Sequence, residues 1–148
     1  MDELLELRNH IQQGRYQEAL TLIGEMEEMS REDKINKIES FLHILLLHLI
    51  KQQAEQRSTR SWEVSISNAI DSIRRVNKRR RAGGWYLDRG DLADSIEEVF
   101  PMALRSASLE AFEGRYDAQE LATRIDVGLI KDQTLKLLQD GQTTEGNV

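Results

Sequence analysis

Residues Phe41 to Ile50 read FLHILLLHLI, and what this run is decides the fold. Eight of the ten are aliphatic or aromatic, and the other two are His43 and His48. Such a run could be built into a membrane span, a metal site or a protein core. The first fails on length, because a helix needs roughly 18 to 20 apolar residues to cross a bilayer. The second fails on angle. Five positions along a helix turn two side chains about 140° apart, whereas histidines sharing an ion on one helix sit four apart on one face. Glu6 and Glu39 precede His10 and His43 by four residues, not by the three of di-iron bundles, and such pairs fit ordinary helix-surface contacts. The run is core.

Working outward, Ser30 with Asp33 reads as a helix start, an oxygen for the free amides and an acid in the first turn. The helix it opens should reach Glu55, with Ile35, Ile38, Phe41, Leu42, Leu45, Leu46 and Leu49 on one broad stripe. Its far side reads Lys37, Ser40, Ile44, Leu47 and Lys51, polar at both ends and apolar between. Ile44 and Leu47, with Ile50 at the margin, therefore form a belt that other helices or a second copy of the chain must cover. A twofold homodimer through this belt, or through the alanines of a later helix, is the expected assembly.

The remaining elements follow the same periodicity, and no alternating strand pattern occurs. Helices are expected over Glu3 to Gln13, stopped by Gly14, and over Tyr16 to Met29. Another should run from Trp62 to Arg81, capped by Ser61 and ended by Gly83 and Gly84. Asp91 opens a helix whose apolar phase runs through Pro101 to Ala103, Ala107 and Ala111, so a kink is expected there rather than a stop. Asp117 and Glu120 resemble a capping box before a last helix, weakened at Gly128 and ending near Gln139. The whole predicts an all-α, single-domain bundle of five to six helices around a central apolar helix, spanning 1–139, with a disordered tail over 140–148.

Composition agrees. The chain has 148 residues, enough for one core, with 39% hydrophobic and 31% charged residues and a formal charge of -6. It has no cysteine, which removes disulfides, thiol catalysis and cysteine-based metal sites. The opening MDELLELRNH lacks the features of a secretory signal, so a cytoplasmic protein that neither spans nor binds membranes is expected. No nucleophile elbow, phosphate-binding glycine loop or His-Glu-x-x-His motif is present. Glu97, Glu98, Glu110 and Glu113 read as solvated helix faces. No catalytic residue, cofactor or metal is assigned, and an enzyme is not the expectation.

The succession LLLHLIK (Leu45 to Lys51), a polar gap, RSW (Arg60, Ser61, Trp62) and SIxxAIxxI from Ser65 to Ile73 resembles the bacterial family known as domain of unknown function 29, across residues 30 to 113. The resemblance implies a small all-helical cytoplasmic protein, with no activity, cofactor or catalytic residue attached. The chain lacks the Cys-Pro segment and acidic, aromatic ending of many members, so no role of that tail carries over.

The strongest local feature is RRVNKRRR, six cations in eight residues: Arg74, Arg75, Lys78, Arg79, Arg80 and Arg81. One use is to grip the phosphates of a nucleic acid or an acidic partner. The other is a helix C-terminus whose cations oppose the dipole, with Asp71 and Arg75 paired. No aromatic residue is interleaved for base stacking, since Trp85 and Tyr86 follow two glycines later. The functional expectation is a protein-protein interaction or regulatory module, with nucleic-acid binding through Arg74 to Arg81 as the alternative and a metal-dependent enzyme a distant third.

Overall fold

Glycine at position 14 ends the first helix, and the backbone there shows why. In a computed structural model that describes residues 2–79 and 83–146, with side chains to Gln139, Gly14 has φ +72°. The Arg15 amide reaches back to the His10 carbonyl at 2.8 Å, a left-handed cap of the kind glycine adopts without penalty. Helix α1 is Asp2–Gln12 and helix α2 is Tyr16–Glu55. Ser30 was expected to start a new helix, but α2 runs through it. Between Tyr16 and Glu55 there is neither proline nor left-handed residue to stop the chain, and one interior glycine, Gly24, costs only about 1 kcal/mol.

The chain divides into two compact units, residues 1–34 and 35–148. In the first, α1 buries nothing fully, and Ala19 and Leu22 on α2 are the buried apolar side chains.

The second unit holds the core cluster. Helix α3 (Arg60–Asn77) starts two residues earlier than Ser61 suggests, because the Thr59 hydroxyl accepts from the Trp62 amide. Helix α4 (Arg89–Glu110) is opened by a reciprocal capping box between Asp88 and Asp91. It continues through Pro101, as the unbroken apolar phase predicts. A 3-10 turn (Ala111–Gly114) leads to α5 (Ala118–Ala122), capped by Asp117 on the Glu120 amide at 2.8 Å, and to α6 (Val127–Gly146). The break before α6 falls ahead of Gly128. Asp126 caps there, accepting from the Leu129 amide at 3.1 Å.

Ile38, Leu42, Leu45, Leu46 and Leu49 of α2 are buried as their stripe predicts. Ile70 and Ile73 of α3, Leu92, Ile96 and Phe100 of α4, Leu121 of α5, and Ile130 and Leu138 of α6 belong to the same cluster. Helix α6 packs on both α3 and α4. The alanine seam is used inside the chain: Ala103 and Ala107 are fully enclosed and Ala111 nearly so. Small side chains allow close helix approach here within one molecule, so the seam is not a surface for a second copy.

Candidate functional site

The belt expected on α2 is largely covered by its own chain. Ile50 is completely buried and Leu47 packs against the core, leaving Ile44 at 41% exposure. Ile50 therefore leaves the set of candidate oligomer contacts. Ile44 and Phe41 line a shallow groove with Ser65, Asn68, Ala69 and Ser72 of α3.

One turn past Leu47 the same face carries Lys51, which is not a solvated end but 6% exposed. Its Nζ lies 2.9 Å from Glu110 Oε1 at the end of α4 and 4.6 Å from the centre of the Trp62 ring. The Arg57 guanidinium also lies over Trp62, at 4.7 Å, while its Nε meets Glu55 at 3.0 Å. Glu55 in turn accepts from the Phe112 amide at 3.4 Å. The local cause is legible: the Thr59 cap sets the first turn of α3, and Trp62 in that turn faces the lysine. A desolvated cation over an aromatic face is worth about 2 kcal/mol, which offsets part of the cost of burying the ammonium. Thus LLLHLIK and RSW, the two stretches that carry the family resemblance, meet at Lys51 and Trp62.

Backbone strain gathers at the same place. Gln56, Phe112 and Glu113 have φ of 51°, 51° and 57° without being glycine, each costing roughly 1 to 3 kcal/mol. They let α2 and α4 end beside each other, so that Glu55 and Glu110 reach their partners. The His48 imidazole, half-buried nearby, is held below its ordinary pKa by burial and then by the Lys51 charge, with Glu110 opposing. Its Nδ1 is buried with no hydrogen-bond partner among the described residues. No pocket opens onto this cluster among those described, and its chemistry is that of a joint between α2, α3 and α4. Sequence reasoning passed over Lys51 as a polar helix end. The signal was available, since a lysine one turn beyond an enclosed belt must itself be enclosed and paired.

The other histidines are accounted for locally. His43 Nε2 lies 2.9 Å from Ser106 Oγ, and His10 sits 3.6 Å from Glu6 as the four-residue spacing suggests. Among the described residues no three His, Asp or Glu side chains gather to hold a metal. Glu97 is paired with Lys131 at 2.8 Å.

The basic run is divided by the fold. Helix α3 was expected to reach Arg81 but ends at Asn77, which is fully buried and bonded twice to Leu87. Its Nδ2 donates to the Leu87 carbonyl at 3.1 Å, and its Oδ1 accepts from the Leu87 amide at 2.7 Å. Arg74 and Arg75 remain on the helix, where Arg74 pairs with Asp71 at 3.9 Å in place of the expected Arg75. Lys78 and Arg79 lie beyond it on an extended arm. Lys78 forms an antiparallel bridge with Trp85, and the Arg79 guanidinium stands 5.4 Å from the Tyr86 ring centre. The aromatic residues that sequence places two glycines away are folded back beside the cations. Arg80 and Arg81 lie outside the described residues.

The fold is that of an all-α protein, a helical hairpin followed in the chain by a helical unit with one core. No helix among the described residues is long and apolar enough to cross a membrane. The chain belongs to the family described as Domain of unknown function DUF29, whose model matches residues 6–125. No curated protein and no solved structure matches it.

Proposed function

We propose that this protein is an interaction module whose N-terminal hairpin docks a basic amphipathic helix of a partner protein in the cytoplasm. One observation carries the reading: residues 1–34 combine an exposed apolar stripe with most of the protein's net negative charge. Tyr16 (65% exposed), Leu20 (63%) and Ile23 recur at i, i+4 and i+7 on α2, the spacing that places side chains on one helix face. Leu4, Leu5 and Met29 are exposed in the same unit. The unit has nine carboxylates against four arginines and lysines, which is five of the six net negative charges. Apolar anchors within an acidic field suit a helix with leucines on one face and lysines on the other, and methionine adapts to differing partner shapes.

The test titrates the protein with a synthetic Leu/Lys amphipathic helix of about 18 residues and with a scrambled peptide of equal composition. Binding of the first, at least tenfold tighter than the second and lost in a Leu20→Glu/Ile23→Glu variant, is the expected result. Equal binding of both peptides would reduce the surface to its charge and overturn the proposal. Light scattering that shows self-association beyond the 17.1 kDa chain, abolished by the same variant, would assign the stripe to a second copy instead.

A further inference from the structure

We propose that Arg75, Lys78, Arg79, Trp85 and Tyr86 form a binding site for single-stranded nucleic acid, independent of the N-terminal hairpin. Phosphate affinity needs cations held on one arm, and base affinity needs aromatic faces beside them. The turn after α3 supplies both. Asn77 stops the helix and pins Leu87. The Tyr86 amide bonds the Asn77 carbonyl at 2.9 Å, and the Arg79 amide bonds the Gly84 carbonyl at 3.0 Å. Gly83 and Gly84, with φ of +75° and +72°, take the left-handed conformations that bring the chain back. Two aromatic residues, each partly exposed, are thereby fixed opposite two exposed cations.

Charge is segregated in the site's favour. Residues 35–148 carry seventeen acidic and sixteen basic side chains, close to neutrality. Between Arg74 and Arg89 there are seven arginines and lysines and a single acid, Asp88. That carboxylate is engaged on the Asp91 amide at 2.9 Å. A bare basic patch would suit any polyanion. The Arg79 guanidinium over Tyr86 is what favours a strand with bases, because the same ring and cation can stack on a base and hold its phosphate.

The experiment measures fluorescence anisotropy of a labelled oligothymidine of about 12 nucleotides with the intact chain, from about 50 to 200 mM salt. Binding at low salt is expected. Arg75→Gln/Lys78→Gln/Arg79→Gln should flatten the slope of log affinity against log salt by about 2, three contacts at about 0.7 each. Tyr86→Leu and Trp85→Leu keep apolar bulk without the π face, and each should weaken binding about tenfold. Absence of binding at the lowest salt overturns the proposal. So does undiminished binding in both leucine variants, which would leave a simple polyanion site, and so does binding to phosphatidylserine vesicles with none to the oligonucleotide. Should a leucine variant lose its helical circular dichroism, the surface variant Arg75→Gln/Arg79→Gln decides: an unchanged salt slope excludes the site.

Discussion

At Lys51 the sign of a substitution depends on which partner is removed. Among the described residues, taking away Glu110 leaves the buried ammonium with the Trp62 ring alone. Glu110 is half exposed, however, so water can reach the vacated side, and Glu110→Ala should cost about 1 to 3 kcal/mol rather than more. Lys51→Met keeps the length of the side chain and removes the charge, so it should fall within about 1 kcal/mol of the parent. Urea titration of both variants checks the order, and a larger loss for Lys51→Met would mean the ion pair itself holds the helices. His48 adds a pH dependence. Its folded pKa lies below the ordinary value of about 6.5, through burial first and Lys51 second, so the unfolded chain takes up the proton more readily. The stability from the neutral ring is complete above about pH 7 and is lost as pH falls through 6.5 toward the folded value. Thermal melts between pH 7.5 and 5.5 should therefore decline less in His48→Leu than in the parent; parallel declines would remove His48 as the cause.

At the scale of elements, the end of α3 is set by one side chain. Asn77→Ala would leave the amide and carbonyl of Leu87, a residue 1% exposed, without their partners, at about 1 to 3 kcal/mol for each buried group. We expect a total loss of about 2 to 6 kcal/mol, together with faster amide exchange at Tyr86 and Leu87 than at α4. Unaltered exchange there would show that the glycines alone form the turn. The capping residues were legible from sequence where their partners lie within one turn, as at Asp117 with Glu120. Ser30 carried the same local signature and does not act as a cap, because a cap also requires the preceding chain to leave the helix; ahead of Ser61 the chain has left the helix, but Thr59 takes the capping place two residues earlier.

For the whole molecule, stability and recognition draw on different residues. The core cluster lies entirely within residues 35–148, so Leu45→Ala, at a completely buried position, should cost about 2 to 5 kcal/mol by leaving a cavity. Leu20→Glu, at an exposed one, should change the melting temperature by no more than a few degrees. Comparable destabilisation by both would place Leu20 in a packed contact and remove the stripe from the docking surface.

Sequence by itself determined the helical class, the stripe of α2 and several helix ends, because periodicity and capping act between residues three or four positions apart. It also marked the basic run and the two stretches that resemble the family. Tertiary structure decided what those residues face. Lys51 finds Glu110 59 positions away, Asn77 finds Leu87 ten positions away, and Ile50 is enclosed by its own chain. The first and last depend on which helices meet and the second on how the chain turns after α3, so none could be read from spacing along a single helix. The same packing spent the alanine seam inside the core and brought Trp85 and Tyr86 back to Lys78 and Arg79, since a backbone turn, unlike a helical face, places residues together that have no common period.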